Sequence, residues 1–220
     1  LSLGGAIALH LLIHHGDRLR AGILANTGAR LKVLPAIIET IQDDYDRHLT
    51  GLIKFAVAQV NQADEDICRR VLATSTAGPT VTANDFRACD AFDAMPQVAS
   101  INTQVLVLSA VYDMLTPVKY ADWLAATIGG AQHVTIDGAG HMSPIERPEA
   151  FNAASFLDEM RSPADEVFAV DGGGAKCEAG FSRRLAIPAG DPRDWRGMDV
   201  LGVLDLGGDG RMEIVAVYHY

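Results

Sequence analysis

Apolar positions along the chain follow two rhythms, one of strand length and one of helical spacing, and the two alternate. Gly4 to His15 reads GGAIALHLLIHH. Ala, Leu and Ile recur there with little polarity and Gly16-Asp17 ends the run, which predicts a buried helix with a glycine-rich start. Ala21 to Ala25 (AGILA) is an apolar run of strand length, closed by the turn signal Asn26-Thr27-Gly28. From Leu34 to Thr74 the spacing turns helical: Ile37, Ile38 and Ile41, then Leu52, Ile53, Phe55, Ala56 and Val60, then Ile67, Val71 and Leu72. Asp64 stands where an N-cap would for the last of these helices. Ala77-Gly78-Pro79 reads as a break, with Thr82 or Asn84 as the cap of a further helix through Cys89 to Ala94. Gln104 to Ala110 (QVLVLSA) is the kind of unbroken β-branched and Leu run found in strands buried on both faces of a parallel sheet. Lys119 to Ile128 predicts a helix closed by Gly129-Gly130, and Gln132 to Ile136 another strand. Pro148 to Met160 predicts a helix with Pro at its start and Phe151, Ala154, Phe156 and Leu157 facing inward. Strand and helix alternate with short connections, so the expected class is α/β, a parallel sheet flanked by helices.

The pattern changes after Arg161-Ser162-Pro163, and the chain is expected to divide into residues 1–162 and residues 163–220. The second part has glycine clusters at Gly172–Gly174 and Gly207-Gly208 and few helix signals. Val200 to Leu206 and Ile214 to Tyr218 read as two strands around a tight loop, so this part is expected to be a short glycine-rich β segment.

Charge and composition narrow the partners. The net charge is −10 over 220 residues, and an acidic surface repels phosphate backbones, so nucleic acid is not an expected partner. No run of about 18 apolar residues occurs, so no membrane span is expected. The apolar start from Leu1 to Leu12 lacks a basic n-region, and His10 interrupts it, with His14 and His15 close behind. It does not read as a signal peptide. Cys68, Cys89 and Cys177 are too few and scattered for a disulfide framework, and no CxxC pair suggests zinc. Reduced thiols in a cytoplasmic protein are the expectation.

Three positions carry candidate chemistry. Ser2 is followed by Gly4 and Gly5 at the start of the first helix. A serine on a sharp strand-to-helix turn needs glycines beside it, because strand and helix approach too closely for a Cβ. Taken alone, Ser2 better fits the N-cap of a buried helix. Asp113 lies just past the strand ending at Ala110, and His141 lies just past the strand ending at Ile136, in Gly138-Ala139-Gly140-His141-Met142. Both fall at the carboxyl edge of a parallel sheet, where sites form in open α/β folds. Asp113 also fits a cap for the turn before Thr116-Pro117. His133 reads as a packed or edge histidine, and Asp90 and Asp93 as surface or helix-capping groups.

Residues 1–160 resemble the C-terminal two thirds of an α/β-hydrolase-fold enzyme of the esterase and lipase-like branch. The segments that carry the resemblance are SLGGAIAL (Ser2–Leu9), NTGARL (Asn26–Leu31), FRACDAFD (Phe86–Asp93), YDMLTP (Tyr112–Pro117) and GAGHMSPIERPEAFNAASFL (Gly138–Leu157). Ser2, Asp113 and His141 follow the family's chain order of nucleophile, acid and base. The resemblance implies that Ser2 attacks, His141 removes its proton and Asp113 fixes the imidazole tautomer, with no cofactor. It implies that the Leu3 N–H supplies half of the oxyanion hole. Asn26 occupies the place where some members carry the acid, and an amide cannot serve as a carboxylate, which favours Asp113. Residues 31–100 correspond to the helical cap, whose Leu34, Ile38, Ile41, Leu52, Phe55 and Val60 either line an acyl pocket or pack the cap onto the core. The expected substrate is a small ester or related acyl compound; thioester, lactone and C–C bond cleavage and cofactor-free haloperoxidase chemistry share the triad. A non-catalytic remnant or binding module is the alternative from another class.

The chain starts at Leu1, and the family's first strands and second oxyanion donor would precede Ser2. The resemblance therefore implies an N-terminal truncation of roughly a hundred residues and an impaired catalyst, because losing one oxyanion donor costs about 10²–10³ in kcat. The end of the chain fits the family less well. Asp205-Leu206-Gly207-Gly208-Asp209-Gly210-Arg211-Met212-Glu213 resembles the aspartate-rich loop of FG-GAP or VCBS-type repeats. Asp205, Asp209 and Glu213 are candidate calcium ligands there, with a glycine at the sixth position for the sharp turn; a plain glycine-rich hairpin is the alternative. A fusion, or a reading-frame shift, would account for hydrolase-like and repeat-like pieces in one short chain.

Overall fold

The computed structural model describes residues 1–155 and the backbone of two strands further on, 200–204 and 213–216. Helix α1 (Leu3–His15) leads into strand β1 (Ala21–Ala25). Four helices follow: α2 (Pro35–Asp43), α3 (Tyr45–Ala56), α4 (Glu65–Ala73) and α5 (Gly78–Ala91). Then come β2 (Gln104–Ala110), α6 (Val118–Thr127), β3 (Gln132–Ile136), the short α7 (Ser143–Glu146) and α8 (Pro148–Ser155). The strands form one parallel sheet in the order β1-β2-β3, with Ala25 beside Leu108 and Ala110 beside Ile136. All three therefore end at the same edge.

Alternation along β2 explains why helices cover both faces. Val105 and Val107 join Leu9 and Leu12 of α1 and Leu124 of α6 in the largest buried cluster. Leu106 and Leu108 face the other way, against Ala154 and Phe151 of α8. Such two-sided burial requires the continuous apolar run that β2 shows in sequence. Strand β1 has β2 on one side and is an edge strand among the described residues, with Ile23 39% exposed.

Polar residues cap the starts of two helices, α3 and α4. Asp64 caps α4 as its sequence predicts, its carboxylate accepting from the N–H groups of Asp66 and Ile67. Asp44 does the same for α3 by accepting from Arg47 N–H, which divides the helical stretch after Leu34 into separate helices. One expectation fails. Ala77-Gly78-Pro79 is not a break before a later cap, because α5 begins at Gly78 with Pro79 in its first turn. Proline is tolerated there since its missing N–H would have no intrahelical acceptor. Thr82 lies inside α5 and donates to the Gly78 carbonyl at 2.8 Å, and Asn84 accepts from Arg87.

In the C-terminal part, β4 (Val200–Leu204) and β5 (Glu213–Ala216) pair antiparallel, with Leu204 opposite Glu213. The expected boundary at Arg161-Ser162-Pro163, the last turn of the predicted 148–160 helix and the loop carrying Asp205 and Asp209 lie outside the described residues. Glu213 is described only as backbone at the start of β5. Among the described residues, no helix is long and apolar enough to cross a membrane.

Candidate active site

The site collects where the three strands end. Ser2 sits immediately before α1 with φ 50° and ψ −123°, a left-handed backbone that non-glycine residues rarely adopt. Its N–H donates to the Asn26 carbonyl at 3.1 Å, and its own carbonyl accepts from the Thr27 hydroxyl at 2.8 Å. The strained turn is thus fastened to the end of β1. Ser2 makes no side-chain capping bond to the helix. The N-cap alternative therefore lacks the interaction that defines it. Leu3 is the first residue of α1, and an N–H at that position has no acceptor within the helix.

Of the two glycines that follow Ser2, only one meets the close contact. A Cβ on Gly4 would meet nothing within 4 Å. On Gly5 it would lie 2.5 Å from both Cβ and Cγ2 of Thr27. The close approach of helix and strand is at Gly5.

Asp113 and His141 form a buried pair, 5% and 4% exposed, with Oδ2 2.9 Å from Nδ1. Asp113 does two things with its two oxygens. Oδ1 accepts from the N–H groups of Leu115 and Thr116 and so caps the turn, as one sequence reading had it. Oδ2 faces His141 and also accepts from the Thr116 hydroxyl at 2.7 Å and from Asn26 Nδ2 at 3.0 Å. Burial alone would raise the Asp113 pKa. The hydrogen bond and charge attraction from His141, helped by Thr116 and Asn26, outweigh it, and the carboxyl titrates below its ordinary value. An ionised carboxylate on Nδ1 favours the tautomer that leaves Nε2 free to accept a proton.

Several residues of this site escaped the sequence reading. Asn26, set aside there as a failed acid, is central: its backbone takes φ 43°, its carbonyl holds Ser2 N–H, and its amide donates to Asp113. Its amide oxygen accepts from the buried Ser143 hydroxyl at 2.7 Å. Glu146, in the short α7, is also buried. Its sequence neighbours Ser143 and Arg147 are also polar, so nothing in the run Met142–Pro148 marks it as buried.

A second serine, histidine and aspartate also meet. Ser109 Oγ lies 2.8 Å from His133 Nε2, and His133 Nδ1 lies 3.4 Å from Asp122. Ser109, next to last in β2, is 1% exposed, whereas the Asp122 side chain is 64% exposed. A nucleophile so enclosed cannot reach a substrate. This set binds α6 to the sheet face, and His133 is the packed histidine its strand position predicts.

A cleft of about 520 Å³ opens between the end of α3 and the loop after β2. Phe55, Val57, Val111 and Met114 give it apolar walls, Lys54 and Gln59 polar ones, and Asp113 lies in its lining. Of the apolar residues between 31 and 100 expected to line an acyl pocket, Phe55 lines this cleft. Ile41 is buried, and Leu34 and Val60 are exposed. Among the described residues, no three His, Cys, Asp or Glu side chains gather as a metal would require.

The model of the Alpha/beta hydrolase family matches residues 1–154, and the chain belongs to that family. Its relatives carry ester-cleaving names. A pimeloyl-[acyl-carrier protein] methyl ester esterase of Neisseria meningitidis is 26% identical over 178 residues, covering 75% of this chain and 57% of the esterase. The 3-oxoadipate enol-lactonase 2 of Acinetobacter baylyi is 26% identical over 162 residues, covering 70% of this chain and 60% of the lactonase. The chain thus spans 57% and 60% of the lengths of these two relatives. A solved hydrolase from Pseudomonas aeruginosa PA01 aligns with TM-score 0.63 at 30% identity, over 70% of this chain and 61% of its own. The enol-lactonase from Burkholderia xenovorans LB400 shares the fold, with TM-score 0.66 at 24% identity over 73% of this chain and 63% of its own.

Proposed function

We propose that this chain is a serine hydrolase of carboxylic esters or related acyl bonds, with Ser2 as nucleophile, His141 as general base and acid, and Asp113 as the group that orients the imidazole. The observation that carries the reading is the buried Asp113–His141 pair at the strand edge where Ser2 stands on its left-handed turn. Names of relatives that cleave a methyl ester and an enol-lactone support the same bond class.

In this reading Ser2 Oγ attacks the acyl carbon while its proton passes to His141 Nε2, and the carbonyl oxygen becomes an oxyanion facing the Leu3 N–H. The carbon–oxygen bond to the alcohol then breaks, and His141 returns its proton to the departing alkoxide. Water, deprotonated by His141, attacks the acyl-serine. The acid leaves and Ser2 regains its proton. Asp113 stays ionised throughout and stabilises the imidazolium. The cleft beside Asp113 offers apolar surface for a small acyl group.

A fluorophosphonate probe tests the assignment. The expected result is labelling of the 220-residue chain at Ser2, abolished by Ser2→Ala, with p-nitrophenyl acetate hydrolysis lost in the same variant. A folded chain that takes up no label would favour the non-catalytic remnant.

A further inference from the structure

We propose that Glu146 is a positioning residue for His141, clamping the histidine loop to the cap segment that walls the cleft; this rests on the hydrolase reading above. The carboxylate bridges two parts of the chain far apart in sequence. Oε1 accepts from Gly140 N–H at 2.9 Å, immediately before His141. Oε2 accepts from Ala58 N–H and from Asn61 Nδ2, both at 2.8 Å, in the segment after α3. All three partners are N–H donors, and Glu146 is 5% exposed. A buried carboxylate is tolerated when its lone pairs are satisfied in this way.

Neighbouring contacts reinforce the clamp. Asn61 Nδ2 also donates to the Gly138 carbonyl at 2.8 Å, and Met142 N–H donates to the Ala56 carbonyl at 3.2 Å. Gly138, Gly140 and Met142 thus tie the backbone on both sides of His141 to residues 56–61. The two backbones touch: a Cβ on Gly140 would lie 2.7 Å from Ala58 N and 2.8 Å from Ala56 O. Val57 and Gln59 of the same segment line the cleft. Asp113, bonded to Nδ1, fixes the rotation of the imidazole about Cβ–Cγ, while Glu146 fixes where the loop holds the ring. Cleft wall and base keep one register because a single carboxylate bonds to both.

Glu146→Gln keeps the shape and replaces one acceptor oxygen with an NH₂ that must face a donor. The 220-residue chain, this variant and the milder Asn61→Ala are compared at a temperature where circular dichroism shows each folded. Two readouts apply: the low-field proton NMR signal of His141 Nδ1–H, and the fluorophosphonate labelling rate of Ser2 per folded molecule. The expected result for Glu146→Gln is a displaced or exchange-broadened His141 signal and labelling slowed about 10- to 100-fold, with Asn61→Ala moving both the same way by less. A purely structural role would lower the melting temperature and leave both readouts of the folded protein unchanged, which overturns the proposal. If Glu146→Gln does not fold, an unchanged His141 signal in Asn61→Ala overturns it equally. If the unsubstituted chain takes no label at all, the hydrolase reading fails, and the His141 signal alone still decides the role of Glu146.

Discussion

Asp113 shows how one side chain can serve two demands that sequence treats as alternatives. One oxygen closes the turn before Pro117 and the other meets His141. Both interactions favour the ionised form, and this links the residue to stability. Its folded pKa is depressed against an unfolded value of about 4, so its contribution is present above pH 4 and is lost as pH falls through the folded value. Acid unfolding followed by circular dichroism should show stability declining below about pH 4, with Asp113→Asn flattening that slope. The same substitution should slow Ser2 labelling by about 10⁴-fold, because an amide fixes the wrong imidazole tautomer. Asn26 teaches the complementary lesson. Sequence shows that it opens a turn and is not an acid. Its role lies in a left-handed backbone, which suits a turn Asn, and in a hydrogen bond to a residue 87 positions away, which local pattern does not encode.

Among the elements, α1 is fixed against β1 by contact rather than by capping. Gly5→Ala should destabilise the chain by about 1–3 kcal/mol, because the added methyl collides with Thr27. That corresponds to a melting temperature lower by several degrees in differential scanning calorimetry. Gly4→Ala, with open space at its Cβ, should cost less, and the difference between the two tests which glycine the turn requires. Among the helices between β1 and β2, Asp64→Ala removes the acceptor for two N–H groups at the start of α4 and should cost about 1 kcal/mol in urea unfolding. These boundaries differ in how well sequence marks them. Asp64 before an apolar periodic run is a local signal, and it predicted the cap correctly. Pro79 reads as part of a break because proline interrupts helix interiors, yet it opens α5, and only the position of the preceding turn separates the two roles.

At the scale of the whole molecule, a sheet of three strands carries helices on both faces and leaves β1 as an edge among the described residues. Ile23 on that strand is 39% exposed and Ile7 on α1 is 58% exposed. Unpaired edges with apolar side chains pair with other chains. Light scattering of the 220-residue chain should show self-association rising with concentration, reduced by Ile23→Lys. The net charge of −10 opposes this association, and added salt should strengthen it. The sequence by itself determined the class and the edge: period and apolar runs located β1, β2 and β3, and residues just past parallel strands must share one end of the sheet. It also supplied Ser2, Asp113 and His141 as candidates, because turn-bound serine, acid and histidine are local signals. Tertiary structure alone decided what surrounds them. Thr116, Ser143 and Glu146 owe their roles to burial and to partners brought near by folding, since a buried polar group is defined by the donors it meets. Packing also decided which of Gly4 and Gly5 is the critical glycine. The space left for a Cβ depends on how helix and strand meet, and no pattern along the chain records that distance.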